Sequence, residues 1–164
     1  MDERAKQTLL QLVHDDALQS HESLATRLGV NVEEVVQAIS DFEAKGIIMR
    51  YGAVVNWDKA DSSRVTAVID VKVTPERGRG FDQIARRIYL FPEVVSVSLM
   101  SGTYDLQVIV EGRKIQEVAQ FVSEKLSTIE NVTSTTTHFR LKTYKFDGVI
   151  FDDPTTDQRL VVTP

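Results

Sequence analysis

The sequence predicts an α+β protein in two parts, a helical N-terminal domain and a C-terminal domain built from a repeated strand–helix–strand unit. Apolar residues recur at helical spacing up to residue 45, whereas later runs alternate between apolar and polar residues. A five-residue turn at 101–105 separates the two copies. With 164 residues, 42% hydrophobic and 26% charged, the chain can form one globular domain or two small ones.

The composition excludes several classes of site. The chain contains no cysteine, which excludes disulfides, thiolate metal sites and a cysteine nucleophile, and favours a cytoplasmic location. The apolar runs are far shorter than the roughly 18 residues of a membrane span, and the acidic start at residues 1–4 is unlike a signal peptide. His14, His21 and His138 lack metal-ligand spacing, and no phosphate loop, nucleophile elbow or carboxylate pair is found. We therefore expect no enzymatic activity, no cofactor and no membrane partner.

Three helices are predicted in the first part of the chain. Residues 2–15 carry one apolar stripe, and Ser20 and Gly29 mark the start and end of a short second helix. Asn31 is expected to cap the third helix, with Glu34 placed as in a capping box. The inward positions of this helix are expected to be Val32, Val35, Val36, Ile39 and Phe42.

The connection between the last two helices predicts a helix-turn-helix of the winged-helix-like kind. It spans residues 28–31, where Gly29 can adopt the positive φ of a tight turn and Ala25 allows the helix axes to approach. A plain helical hairpin fits the same spacing. In the helix-turn-helix interpretation, helix 31–45 enters the major groove of DNA. Candidate DNA contacts are Asn31, Glu33, Glu34 and Gln37, with Asp41 on the same face, and Arg27, Lys45 and Arg50 toward phosphates.

The charge of the first part does not favour phosphate binding. Residues 1–57 contain five basic and nine acidic residues, a net charge of −4, whereas the remainder is close to neutral with fourteen basic and fifteen acidic residues. The alternative interpretation of the acidic third helix is a solvated surface with no partner.

Between the two parts, residues 47–55 are rich in β-forming side chains and predict a connecting strand. Residues 56–59 predict a turn, and Trp57 is expected to pack where the domains join. The first domain is therefore expected to span 1–57.

The second part predicts strands at 64–74, 94–100, 104–111 and 132–142 and helices at 81–90 and 114–128. This βαββαβ order is that of the ferredoxin-like fold, a four-stranded antiparallel sheet with two helices on one face. Val95, Val97 and Leu99 are expected on one side of the sheet. The second helix is expected to bury Ile115, Val118, Ala119, Val122 and Leu126. An uncovered sheet face favours a dimer packed sheet to sheet.

A series of short motifs follows along the chain in a definite order. These are Leu24-Ala25, Leu28-Gly29-Val30, Val35, Ile39, Phe42-Glu43, Gly46-Ile47-Ile48, Tyr51-Gly52-Ala53, Phe91-Pro92-Glu93-Val94, Gly102-Thr103-Tyr104-Asp105 and Thr135-Thr136-Thr137. Their order and spacing resemble the Lrp/AsnC (feast/famine) transcription regulators over residues 3 to 145.

The resemblance implies a DNA-binding transcriptional regulator that forms a homodimer and often an octamer. It implies a helix-turn-helix domain at 1–57, a βαββαβ effector-binding and oligomerisation domain at 58–145, and a C-terminal tail at 146–164. It also implies a small-molecule effector, often an amino acid, bound between dimers. The effector residues that it indicates are Gly102, Tyr104 and Asp105, with Thr135 and Thr137 on the last strand nearby. Ser101 and Thr103 complete the candidate set through the backbone of the turn.

The chemistry of the turn suits an amino acid. Asp105 can pair with an α-ammonium group, and the backbone N–H groups of residues 101–103 can hold a carboxylate. The alternative is that Asp105 only caps the hairpin and Gly102 only turns it.

The third helix departs from the family pattern, which usually places Ser at its start and Arg about seven residues later. Here those positions hold Asn31 and Ala38, with Glu33 and Glu34 between them. We therefore expect weak DNA binding by one dimer, strengthened by assembly. The alternatives are a ligand-sensing oligomeric module without sequence-specific DNA binding, and a dimeric ferredoxin-like enzyme such as a small monooxygenase.

Overall fold

Three helices make up the first of two compact units, which spans Met1–Val54; the second begins at Val55. The computed structural model describes residues 1–61, 63–75 and 80–151. Helix α1 (Glu3–Asp15) begins after Asp2, whose side chain accepts from the Ala5 amide at 2.7 Å. The other helices are α2 (His21–Leu28) and α3 (Val32–Ala44). All three predicted helices are confirmed, and their buried side chains are Leu9, Val13, Leu24, Ala25, Val35, Ala38 and Phe42.

The turn between α2 and α3 has the predicted geometry. Ser20 caps α2 by accepting from the Ser23 amide at 3.2 Å, and Gly29 ends it with φ of 67°. A Cβ atom clashes with the backbone at such φ values, which glycine avoids. Gly29→Ala is therefore expected to lower the free energy of unfolding by about 1 kcal/mol.

Urea unfolding of the purified protein measures this effect. Gly52→Ala is the matched control, since Gly52 has no positive φ and open space around its Cβ position. Equal effects of the two substitutions would contradict a role for the left-handed turn.

Three expectations for residues 31–55 are wrong. Asn31 is the N-cap residue of α3 as predicted, but the capping box is wrong, because the Asn31 side chain makes no capping bond and Glu34 approaches the Met1 amino group at 3.5 Å. Val36 is 44% exposed because it lies about 100° around the helix from buried Val35. Residues 47–55 form no strand, since a strand needs a hydrogen-bonded partner and no described segment pairs with them.

The second unit has the predicted βαββαβ order. A short helix α4 (Trp57–Ala60) precedes strand β1 (Val65–Val73), helix α5 (Asp82–Tyr89) and strand β2 (Val94–Leu99). Strand β3 (Leu106–Gly112), helix α6 (Ile115–Phe121), a π-helical turn (Val122–Leu126) and strand β4 (Val132–Phe139) complete the repeat. The sheet is antiparallel in the order β2-β3-β1-β4, so β1 is a central strand paired with both β3 and β4.

The helices cover one face of this sheet. Alternate residues of β1 and β3 point into the core, where they meet α5, α6 and the π-helical turn. The buried set is Ala67, Ile69, Val71, Val73, Ile84, Ile88, Leu106, Val108, Val110, Val118, Phe121 and Leu126. Ile115 and Ala119 are exposed, contrary to prediction, and Phe121 is buried. Ile115 lies in the first turn of α6, and Ala119 lies about 100° around the helix from buried Val118.

Strand β2 contains a bulge that changes which residues face the core. Val94 pairs with Val110, but the next paired residue is Ser96, opposite Ile109. Val95 is therefore the extra residue and is 59% exposed. Val94, Val97 and Leu99 share the core side, so the expected trio of Val95, Val97 and Leu99 is wrong in its first member.

After β4 the chain forms a small hairpin from β5 (Lys145–Phe146) and β6 (Val149–Ile150). Asp147 and Gly148 both have positive φ, which suits a two-residue hairpin turn.

Trp57 is 45% exposed, with the Arg64 guanidinium 4.2 Å above its ring. Residues 152–164 of the predicted tail lie outside the described residues. Among the described helices, none has the length and apolar character needed to cross a membrane.

Candidate nucleic-acid interface and ligand site

The outer surface of α3 carries the polar side chains predicted to contact DNA. Asn31, Glu33, Glu34 and Gln37 are all exposed there. Buried Val35, Ala38 and Phe42 on the opposite side fix which face of the helix points outward. Gln37 Nε2 donates to Asp41 Oδ1 at 2.8 Å, one helical turn later. The result is a rigidly oriented but acidic surface.

The three basic candidates lie in separate elements around this surface. Arg27 is in the last turn of α2 and donates to Gln19 Oε1 at 2.9 Å. Lys45 is the C-cap of α3, and Arg50 is exposed in the segment that follows. All three guanidinium or ammonium groups are accessible to a phosphate.

Tyr51 ties the segment after α3 to the helix itself. Its hydroxyl donates to Glu43 Oε1 at 2.8 Å. Partial burial and, after it, the hydrogen bond to Glu43 raise the pKa of Tyr51. Tyr51 also lines a cleft of about 370 Å³ between α1, α2 and α3. The sequence places Tyr51 and Glu43 in two separate motifs and gives no sign that their side chains meet.

The turn at 101–105 is anchored to the central strand by Asp105. The Asp105 amide donates to the Val71 carbonyl at 3.0 Å, and its Oδ2 accepts from the Val73 amide at 2.9 Å. The Asp105 carbonyl accepts from the Met100 amide at 2.8 Å, which closes the hairpin. One carboxylate oxygen therefore has a structural partner, as the hairpin-cap interpretation requires.

The other residues of the turn are more accessible. Ser101, Gly102 and Thr103 are exposed, and Gly102 has φ of 145°. Within the described residues, the amides of Gly102 and Thr103 have no backbone hydrogen-bond partner. The Thr103 carbonyl accepts from Lys72 Nζ at 3.0 Å. The turn is thus held from β1 through Asp105 and the Thr103 carbonyl.

Tyr104 and the two threonines lie on opposite faces of the sheet. The Tyr104 hydroxyl accepts from Gln107 Nε2 at 3.1 Å on the helix-free face. Thr135 and Thr137 pair with buried Val71 and Ile69, so they face the helices. Thr135 Oγ1 lies 3.4 Å from Ser127 Oγ. One chain alone does not bring these threonines to the Tyr104 hydroxyl.

Sequence reasoning missed Lys72 and Gln107, which contact the turn from neighbouring strands. Only the register places them there, since Gln107 lies opposite Asp70 on β1 and Ser98 on β2. The same helix-free face carries a pair between His138 Nε2 and Asp70 Oδ2 at 3.2 Å. Its centre is less polar, with Val68 and Ile109 paired across β1 and β3.

A cavity of about 340 Å³ lies between α6 and β3, and four glutamates, Lys125 and apolar side chains of both elements are among its lining residues. Lys125 Nζ bonds Glu93 Oε1 and lies 5.6 Å from the centre of the Phe91 ring. The hydrogen bond from Lys125 holds the pKa of Glu93 below its ordinary value. The described residues contain no cluster of His, Asp and Glu that could hold a metal ion.

The depressed pKa of Glu93 predicts a pH dependence of stability. Its ionised form is favoured by folding, so its contribution is present above the ordinary pKa of 4.5 and is lost as pH falls through the lower folded-state value. Glu93→Gln removes this contribution. The stability difference between wild type and variant should therefore shrink between pH 5 and pH 3, about the glutamate titration range.

Urea unfolding at a series of pH values tests this, with exposed Glu130→Gln as the matched control. Stability curves for wild type and Glu93→Gln that stay parallel through the acid range would contradict it.

Comparisons with known proteins agree with this architecture. The family model for the Lrp/AsnC ligand binding domain matches residues 66–150. The HTH-type transcriptional regulator YugG of Bacillus subtilis is 48% identical over 157 residues, covering 95% of each chain. An HTH-type transcriptional regulator of Pyrococcus furiosus is 30% identical, covering 85% of this chain and 90% of its own.

Solved structures share the fold at lower identity. Escherichia coli AsnC superposes with a TM-score of 0.69 at 18% identity, covering 89% of this chain and 97% of its own. A Neisseria meningitidis transcriptional regulator in complex with L-Met superposes with a TM-score of 0.71 at 18% identity, covering 95% and 97%.

Proposed function

Because the chain belongs to the Lrp/AsnC family of HTH-type transcriptional regulators, we propose that its operator binding and assembly respond to an amino acid bound in the second unit. One observation carries this proposal. The chain contains both an exposed polar helix, α3, and a domain that matches the Lrp/AsnC ligand binding domain and has an accessible turn anchored to its sheet.

For DNA, α3 supplies the base-facing surface and Arg27, Lys45 and Arg50 supply phosphate contacts. The exposure of these side chains supports this assignment. The net charge of −4 over residues 1–57 means that one dimer binds weakly. An assembly that presents several helix-turn-helix units raises the apparent affinity without new contacts.

For the effector, the turn at 101–105 meets the two ends of an amino acid. The amides of Gly102 and Thr103, which have no backbone partner among the described residues, suit its carboxylate, and Asp105 suits its ammonium group. Because Asp105 Oδ2 already accepts from Val73, the ammonium would share this carboxylate with the backbone. The Neisseria meningitidis relative, whose complex contains L-Met, supports an amino acid as the ligand class.

Thr135 and Thr137 face the helices, away from Tyr104. They belong to the same effector site only if a second dimer brings its own turn to them. This placement supports a site between dimers, and it makes ligand binding depend on assembly.

For assembly, the helix-free face of the sheet is the proposed dimer surface. Polar residues surround Val68 and Ile109 there, and nothing in the second unit's α5 or α6 covers them, since both helices lie on the other face. Two such faces packed together would bury both apolar pairs.

Fluorescence anisotropy with the DNA upstream of the protein's own gene tests the proposal. Binding should weaken steeply between about 50 and about 200 mM salt. It should also change when an amino acid that stabilises the protein in a thermal-shift assay is added. The alternative is a ligand-sensing oligomer without sequence-specific DNA binding, which the acidic α3 favours. No binding even at the lower salt, with a thermal shift by an amino acid retained, would establish that alternative.

A further inference from the structure

Acidic side chains surround Gln37 on α3, and attraction to DNA phosphates does not explain them because phosphates repel carboxylates. They are regularly spaced along the helix. Glu33 lies four residues before Gln37 and Asp41 four residues after it, so all three share one exposed face. Gln37 is the uncharged member at the centre. Its contact with Asp41 determines how its amide is presented.

Asp41 orients that amide. An ionised carboxylate only accepts hydrogen bonds, so the group 2.8 Å from Asp41 Oδ1 must be the Gln37 NH₂ and not its carbonyl. One N–H is therefore engaged along the helix. The remaining N–H and the carbonyl oxygen Oε1 form an adjacent donor and acceptor available to a base.

That donor–acceptor pair is complementary to adenine. In the major groove, adenine presents an N6 donor and an N7 acceptor, whereas guanine presents two acceptors at O6 and N7. Glu33 and Asp41 carry only acceptors, so they disfavour the acceptor-rich guanine edge beside them. The acidic face is costly for affinity and useful for discrimination.

We propose that Gln37 is a specificity-determining residue that selects adenine over guanine in the operator, with Asp41 as the positioning residue that fixes its amide. This inference rests on the proposed DNA-binding function. It assigns the acidic residues of α3 a role in rejecting the wrong base.

A simpler interpretation is that the pair only stabilises the helix. Gln11 Nε2 donates to Asp15 Oδ1 at 2.8 Å on α1, with the same four-residue spacing. Such pairs stabilise helices whether or not they meet DNA. The Gln11–Asp15 pair is therefore the matched control for the experiment.

The experiment selects binding sites from a randomised duplex library and then measures Kd for each single-base change at fixed salt. Wild type should prefer adenine over guanine at one position of each half-site by about five- to 150-fold. Gln37→Ala should abolish that preference, and Gln37→Glu, which only accepts, should shift it toward cytosine. Gln11→Ala should leave the whole base profile unchanged.

Asp41 variants test the positioning role by rescue. Asp41→Ala removes the acceptor, so the Gln37 amide can rotate and the preference for adenine over guanine should fall toward one. Asp41→Asn retains an acceptor and should restore most of the preference. Circular dichroism of each exposed-site variant shows whether α3 stays folded.

The outcomes separate the two proposals. Specific binding by wild type with a base profile that Gln37→Ala and Gln37→Glu leave unchanged overturns the adenine assignment and leaves the regulator function standing. An Asp41→Ala profile equal to wild type overturns the positioning role. Failure of wild type to select any sequence overturns the proposed DNA-binding function and this inference with it.

Discussion

Asp105→Ala is expected to lower the free energy of unfolding by about 1–3 kcal/mol and to abolish the amino-acid response. The loss of stability follows because the buried Val73 amide would lose its acceptor, Asp105 Oδ2. The loss of response follows because the ammonium group would lose its carboxylate. Urea unfolding measures the first effect, and thermal shift with each standard amino acid measures the second.

Asp105→Asn separates the two roles. An asparagine side chain keeps an oxygen that accepts from Val73 but carries no charge, so stability should be largely retained and the amino-acid response lost. Thr103→Ala is the comparison within the turn, since it leaves the backbone amide and carbonyl of residue 103 in place, and that carbonyl accepts from Lys72 Nζ. An Asp105→Asn protein that responds like wild type would show that the carboxylate does not bind the effector.

Leu9→Ala is expected to destabilise the helical unit by about 2–5 kcal/mol and to remove DNA binding. Leu9 is fully buried among α1, α2 and α3, so truncation leaves a cavity beneath the helix-turn-helix. Because the second unit has its own core, its oligomeric state and amino-acid response should persist. Far-UV circular dichroism, anisotropy and size-exclusion chromatography follow the three properties.

Leu18→Ala provides the control, since Leu18 is 95% exposed and its truncation opens no cavity. Simultaneous loss of DNA binding, assembly and ligand response in Leu9→Ala would mean that the two units do not fold independently.

The helices of the first unit were predictable because their signals are local. Ser20 and Gly29 act within one turn of the backbone, and the stripe that includes Leu24, Val35 and Phe42 needs only the helical period. Asn31 marks the limit of such signals. Its identity predicts a cap, but whether the side chain bonds the backbone depends on competing partners that the sequence does not place.

The strands were predictable in order but not in detail. The βαββαβ order follows from alternation and turns, whereas the bulge at Val95 and the π-helical turn at Val122–Leu126 arise from fitting neighbouring elements together. The bulge shifts the inward side of β2 by one residue, which explains the error at Val95. The error at Ala119 has a different cause, since Ala119 lies about 100° around α6 from buried Val118. Residues 47–55 show the same limit, since β propensity predicts a strand only where a partner strand is available.

The candidate ligand site was predictable as a segment but not as a geometry. The family motif indicated Gly102, Tyr104 and Asp105, and the structure shows them in one anchored turn. Lys72 and Gln107 joined it only through strand register. Thr135 and Tyr104 lie on opposite faces of the sheet. The face of Thr135 follows from the register between β1 and β4, which the sequence does not specify.

The bond between Asp105 and Val73 has a spectroscopic consequence. The Val73 amide proton is held by a side chain of the turn, whereas the neighbouring amides of β1 are held by the backbone ladder. A ligand that draws the Asp105 carboxylate toward its ammonium group would lengthen that single bond. The nitrogen–proton resonance of Val73 and its hydrogen-exchange rate would therefore report occupancy of the turn, from inside the sheet and without a label on the ligand.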